Sequence, residues 1–238
     1  MKKLIKKFVK NYIGVSGTKN LIDRQMWVKE ALLSVPNENL ILDAGAGEQQ
    51  YRQYCSHLNY VSQDFNEYEG SGNNKGLQTG EWDVSKTDII SDIIKIPKPD
   101  ASFDTILCTE VLEHIPDPIS ALSEFHRLLK PGGEVIISAP FNSLTHFAPY
   151  HYCTGFNKYF YEHHLSKLGF TITEITANGD WSEYFSQELR RLLTIYGKAP
   201  IYVKILVAFI LRFVKLRRIA NKTDDLGCFG FHVRAVKL

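Results

Sequence analysis

The chain lacks a CxxC pair, an apolar run of membrane-spanning length, an internal repeat and any large excess of one charge. Its four cysteines, Cys55, Cys108, Cys153 and Cys228, lie far apart. That scatter excludes a paired zinc or dithiol motif and suits a reducing compartment. A formal net charge of +2 gives no global attraction to nucleic acid. No basic stripe with interleaved aromatics runs through the central sequence either, so an RNA substrate is disfavoured. The most apolar window, Ile201 to Leu216, is broken by Lys204 and Arg212 and falls short of the roughly 20 apolar residues of a membrane span. The opening MKKLIKKFVKNYI carries the charge of a signal peptide. Lys6, Lys7 and Lys10 interrupt its apolar stretch, however, and no small-residue cleavage site follows. A cytoplasmic protein is expected.

What is present can fill a core: 44% of the 238 residues are hydrophobic. One domain over 1–238 is expected, with a helical extension over 1–35 and a basic, apolar helical insertion over 183–223 before the last strand. Apolar spacing predicts a helix from Leu21 to Leu33, ended by Pro36 and Asn37. Strands are predicted at Leu40–Asp43, Tyr60–Asp64, Ile89–Ile94, Phe103–Cys108 and Glu134–Ala139. Asp117 caps a predicted helix from Pro118 to Leu129, which LKPGGE closes, and a further helix runs from Tyr159 to Leu168. Phe170–Ala177 and Phe229–Val236 alternate like two antiparallel strands. Asn66 to Thr87 is rich in Gly, Asn and Ser and reads as a long loop, a feature that usually serves function in a compact domain. The alternation predicts an α/β, doubly wound, Rossmann-like sheet.

The most informative stretch is LILDAGAGEQQYR, Leu40 to Arg52. Glycines at 45 and 47 let a ligand approach the backbone at a strand-to-helix turn. Asp43 stands just ahead of them, where a carboxylate would repel a pyrophosphate but would suit an ammonium or sulfonium. Gln50 occupies the place of the third glycine in GxGxxG, which counts against a nicotinamide oxidoreductase. Asp64 closes the second strand about 20 residues on, where an acid accepts ribose hydroxyls. Asp92 lies at the third strand end and Glu110 after the fourth. Acids after successive parallel strands face one crevice.

LDAGAG, Asp64, the SDI of Ser91 to Ile93, FDTILCTEVLEHIPDP and LKPGGEVIISAPF together resemble class I S-adenosylmethionine-dependent methyltransferases. The resemblance implies a seven-stranded sheet whose last strand, FGFHVRAVKL, inserts antiparallel. It also implies S-adenosyl-L-methionine as cofactor, with Asp43, Gly45 and Gly47 at its methionine part and Asp64 at the ribose. Asp92 and Ile93 would meet the adenine, and Glu110 would complete the cofactor site.

The stretch APFNSLTHFAPYHY is similar to methyltransferases of sugar and surface-glycan pathways. That similarity places His146 beside a small-molecule acceptor, a sugar or a lipid-linked molecule, as the base for its hydroxyl. His114 and His151 are the other candidates. Glu110, Glu113 and His114 form E-x-x-E-H, a set that with His146 or His151 could bind a divalent metal, as it does in some RNA and quinone methyltransferases similar in this motif. The favoured expectation is a site without metal; the metal-using quinone or RNA enzyme stays open, as does a non-catalytic, membrane-associated binding protein of the same fold. Trp82 and Trp181 are expected to pack, and Tyr150 to face a ring of the ligand.

Two stretches have the composition of helices lying in a membrane interface. Leu4, Ile5, Phe8, Val9 and Tyr12 would share one face, ringed by Lys2, Lys3, Lys6, Lys7 and Lys10. From Ile195 to Thr223 there is no acidic residue, while Lys198, Lys204, Arg212, Lys215, Arg217, Arg218 and Lys222 punctuate apolar sequence. Contact with the inner face of a membrane is one expectation. Packing of both helices on the domain or in a homodimer is the other.

Overall fold

A computed structural model describes residues 7, 11–13, 17–195, 199–218, 223, 224 and 226–238. The face expected of Leu4, Ile5, Phe8 and Val9 lies outside these residues, as do Lys198 and Lys222. The elements are α1 (Asn20–Leu33), β1 (Leu40–Ala44), β2 (Asn59–Asp64), β3 (Ile89–Ile90), β4 (Phe103–Thr109) and α2 (Pro118–Leu128). They continue as β5 (Leu129–Pro140), α3 (Lys158–Lys167), β6 (Phe170–Asn178), α4 (Trp181–Ile195), α5 (Ile201–Arg218) and β7 (Gly230–Lys237).

The strands form one seven-stranded sheet in the order β3-β2-β1-β4-β5-β7-β6. β1 pairs in parallel with β2 and β4, and β4 with β5. β7 runs antiparallel to β5, with Ile137 opposite Val233. The doubly wound sheet and the antiparallel insertion of the last strand are therefore as the sequence predicts. Ile41, Leu42, Ile106, Leu107, Ile136 and Ile137 are fully buried, and each such side chain contributes about 1.5–3 kcal/mol on leaving water. On one side of the sheet, Val28, Ala31 and Leu32 of α1 pack with Ile41, Leu107 and Ile136. Asp117 caps α2 as expected, its Oδ1 accepting from Ser120 N–H at 3.1 Å.

Two strands depart from their expected lengths, each for a reason of register. β3 has two paired residues, because Ile90 already stands opposite Asp64, where β2 ends. β5 starts five residues early. Leu129 pairs with Phe103, the register shifts, and pairing resumes at Glu134 opposite Thr105. LKPGG is thus the irregular entry of the strand rather than the end of a helix.

The chain divides into two compact units, one of residues 25–176 with 230–238 and one of 1–24 with 177–229. The first holds the glycine turn and every candidate site residue. In the second, Leu193, Val207 and Leu211 are buried together with Tyr12, Ile13, Leu189 and Val203 around them.

Candidate active site

The glycine turn follows β1, and its conformation is one that glycine adopts most readily. Gly45 has φ of +75°, and a Cβ there would lie 2.6 Å from the methyl groups of Val111. Asp43, just before it, is 2% exposed and accepts a hydrogen bond of 2.6 Å from the Tyr60 hydroxyl. Burial pushes the Asp43 carboxyl up to about 7; the Tyr60 bond opposes the shift and the nearby Asp64 charge adds to it. Asp64 accepts from Gly47 N–H at 2.9 Å and from Asn66 N–H at 3.0 Å. Those two bonds fix its plane at the mouth of the turn. Ser91 N–H donates to Asp64 C=O at 3.1 Å, which ties the SDI segment to the same edge. Within it, Ile93 is buried, and the exposed Asp92 accepts from Ile94 N–H at 3.1 Å.

The turn after β4 joins this edge to a second group. Glu110 has φ of +55°, and its Oε1 accepts from Ser138 Oγ at 3.0 Å. Glu113 and His114 sit in the single helical turn Leu112–His114. The C=O of Glu113 is held by Tyr152 N–H at 2.9 Å and Cys153 N–H at 3.1 Å. Its carboxylate is 1% exposed, and Glu113 Oε1 lies 3.7 Å from His114 Nε2 and 3.8 Å from His146 Nε2. The His114 and His146 rings meet edge to face at 4.6 Å, and His151 lies 4.8 Å from His146. Burial, then the neighbouring His146 ring, pushes the His114 imidazole down to about 3. His114 is accordingly neutral at physiological pH, and its approach to Glu113 is not an ion pair. His151 is likewise lowered by burial and by His146, and its Nε2 meets Ser143 Oγ at 3.1 Å.

His146 is positioned by the long loop. Leu77 bridges His146, with Leu77 N–H donating to Thr145 C=O at 2.9 Å and Phe147 N–H to Leu77 C=O at 3.0 Å. Trp82 packs over Gly47, within 2.8 Å of where a Cβ would be, and meets Tyr68 and Phe147 edge to face. Phe147 in turn stacks on His114 at 5.0 Å. An aromatic wall thus runs from the glycine turn to the histidines.

Asp43, Gly45, Gly47 and Asp64 are therefore brought together, and His146 joins Glu113 and His114. Glu110 turns toward β5 rather than into the histidine group. Trp82 packs, as expected. Tyr150 donates to Glu67 Oε2 at 3.2 Å and meets Phe65 edge to face at 5.0 Å. Tyr60, Tyr68, Phe147 and Leu77 were not singled out by sequence. For Tyr68 and Leu77 the available signal was the length of the Asn66–Thr87 loop itself.

Comparison with known proteins agrees with the fold. Residues 42–137 match the family described as a methyltransferase domain. A ubiquinone biosynthesis O-methyltransferase of Paracidovorax citrulli is 42% identical over 62 residues, 26% of either chain. The protein of that name from Alkalilimnicola ehrlichii is 58% identical over 36 residues, 15% of either chain. The matches thus span about a quarter or less of these curated relatives. A SAM-dependent methyltransferase from Archaeoglobus fulgidus superposes with a TM-score of 0.55 at 18% identity, over 97% of this chain and 98% of that one. The [4+2]-cyclase SpnF gives 0.52 at 16% identity, over 90% and 80%. Neighbours at such identity share the fold.

The loop pairing generates a prediction. Gly76 has φ of +66°, and a Cβ there would stand 2.5 Å from Thr145 C=O. Gly76→Ala is expected to detach the 66–87 loop from the His146 segment. Hydrogen exchange at the Leu77 and Phe147 amides should quicken by roughly tenfold or more, while the amides of β1 and β4 keep their protection.

Proposed function

We propose that this chain, whose residues 42–137 match a methyltransferase domain, is a class I S-adenosylmethionine-dependent methyltransferase that moves the methyl of that cofactor to an oxygen of a small-molecule acceptor. The observation that carries this is the buried Asp43 ahead of a glycine turn, with Asp64 oriented beside it. Asp43, Gly45 and Gly47 take the methionine part, Asp64 the ribose, Asp92 and Ile93 the adenine, and Glu110 completes the site from the turn after β4. Methyl transfer from a sulfonium is an in-line displacement with its leaving group in place, so alignment supplies much of the rate. His146 activates the acceptor: with its Nδ1 at Leu144 C=O, 2.9 Å away, its Nε2 lone pair is the one offered to a hydroxyl proton.

The acceptor proposed is a hydroxyl of a sugar or of a lipid-linked small molecule. A quinone hydroxyl is the second reading, favoured by the names of the curated relatives. Transfer of labelled methyl into glycan and lipid extracts separates them. Label in sugar supports the first reading and label in isoprenoid quinone the second. Binding of cofactor with no label in any fraction would instead leave a non-catalytic binding protein.

Asp43 sets a pH dependence. Its carboxyl is held up near 7 in the free protein, and a cationic cofactor binds the ionised form. Affinity for S-adenosylmethionine is therefore full above about pH 7 and falls by about tenfold per unit below it. Calorimetry from pH 5.5 to 8 should show that slope in the wild type and not in Asp43→Asn.

The protein is further proposed to work at the cytoplasmic membrane surface. On α5, Tyr202, Leu206, Phe209 and Phe213 are each more than half exposed and recur at helical spacing, while Val207, Ala208 and Leu211 are buried. No helix among the described residues is long and apolar enough to cross a membrane. An apolar stripe in a cationic, acid-free segment suits an anionic lipid interface, where each Lys or Arg near the surface adds about 1 kcal/mol. Sedimentation with anionic vesicles, weakened by salt, is expected. Protein that stays in the supernatant at low salt as a dimer would assign the stripe to a second copy instead.

A further inference from the structure

We propose that the cavity between α4 and the chain leading into α1 binds a phosphate group, carried by a small molecule or by a lipid. Every residue lining it belongs to the unit of residues 1–24 and 177–229. None of them is assigned above to methyl transfer, and the inference does not depend on that reading. The cavity measures about 570 Å³, within the roughly 300–1,000 Å³ of small-molecule sites.

Its walls follow from helical spacing and one close approach. Gln187, Arg190, Arg191 and Thr194 recur at i, i+3, i+4 and i+7 along α4 and so share one face. The other wall is the chain from Gly17 into the start of α1, including Leu21 and Arg24. Gly17 is buried with φ of +64°, and a Cβ there would stand 2.3 Å from Gln187 N. Glycine alone lets the two backbones come so close. Arg190 Nη1 donates to Gly17 C=O at 3.2 Å, so its guanidinium spans both walls.

Charge decides what the cavity takes. Its lining carries the guanidiniums of Arg24, Arg190 and Arg191 and no carboxylate. Arg191 is paired outside the lining, with Glu188 Oε1 at 2.6 Å. Arg190 has a carbonyl as its partner and, among the described residues, no ion pair. A carbonyl satisfies a donor without neutralising the charge. Burial accordingly lowers the pKa of the Arg190 guanidinium, and no carboxylate opposes the shift. Elsewhere in the chain the balance is reversed: Glu124 and Asp100 raise Arg127, and Glu134 raises Arg234.

A guanidinium keeps its proton in proteins, so the charge of Arg190 stays, and an anion entering the cavity offsets its desolvation. A phosphate suits this lining, because guanidinium forks pair with two of its oxygens at a time. Ile13 and the buried Leu193 line the same space and accommodate an apolar portion of the ligand beside the charge.

The test is calorimetric titration of the full chain with inorganic pyrophosphate and, separately, with monomeric dihexanoyl phosphatidic acid. Saturable binding of at least one probe, weakened by salt, is expected. Binding of pyrophosphate assigns a free anion, and binding of the phosphatidic acid alone assigns a lipid headgroup. Arg190→Gln should weaken binding by about tenfold or more, the usual cost of a lost hydrogen bond to a charged group. Lys204→Gln removes a cation of α5 outside the lining and should leave binding unchanged. Thermal unfolding reports whether each variant is folded. Thr194→Glu, which puts a carboxylate at an exposed position of the lining, should weaken binding as much and serves if Arg190→Gln does not fold. Failure of both probes to bind the wild-type protein overturns the site. Equal losses in Arg190→Gln and Lys204→Gln would reduce it to general surface charge and overturn it too. Binding undiminished in folded Arg190→Gln or Thr194→Glu overturns the cavity as the place where the probe sits.

Discussion

A side chain at position 45 would collide with the methyl groups of Val111, 2.6 Å from where its Cβ would stand. That contact between the turn after β1 and the turn after β4 sets the dimensions of the site. Val111 is followed by Leu112, Glu113 and His114 in one short helical turn. The same turn that abuts Gly45 therefore delivers the carboxylate and imidazole that face His146. Trp82 and Phe147 close the other side of the span. The glycine turn and the histidine group are linked through backbone and aromatic contacts rather than through mobile charged side chains, which suits a reaction that depends on alignment.

Two buried carboxylates divide the electrostatics. Asp43 is raised in pKa by burial, so its ionised form is costly in the free protein and is the form that a cationic ligand stabilises. Glu113 sits equally deep, against two imidazoles whose protons are directed to backbone carbonyls. An ionised carboxylate removed from water is costly unless a positive partner is supplied. At Asp43 the proposed partner is the cofactor's own charge.

Local signals were the legible ones. The apolar run ending in Asp43, the glycines behind it, Asp117 as helix cap and the strand ending at Asp64 each depend on neighbours within a few residues. The doubly wound sheet and its antiparallel last strand followed from alternation together with family resemblance. Register between distant segments was not legible. The shortness of β3 comes from where β2 stops, and the early start of β5 comes from a shift opposite Phe103. The pairing of Leu77 with His146 joins segments far apart in the chain. No local pattern encodes it. His146 could be named as a candidate base, but the carbonyl of Leu144 that meets its Nδ1 could not. The E-x-x-E-H motif suggested three ligands together, whereas the positive φ of Glu110 accompanies a side chain turned to β5.

The central claim is that the edge built by Asp43, Gly45, Gly47 and Asp64 is shaped for an adenosyl sulfonium rather than for a dinucleotide. Calorimetric titration of the wild-type protein with S-adenosylmethionine and, separately, with NAD at pH 8 tests it directly. The account predicts saturable binding of S-adenosylmethionine and none of NAD over the same concentrations. Binding of NAD in preference to S-adenosylmethionine would contradict it.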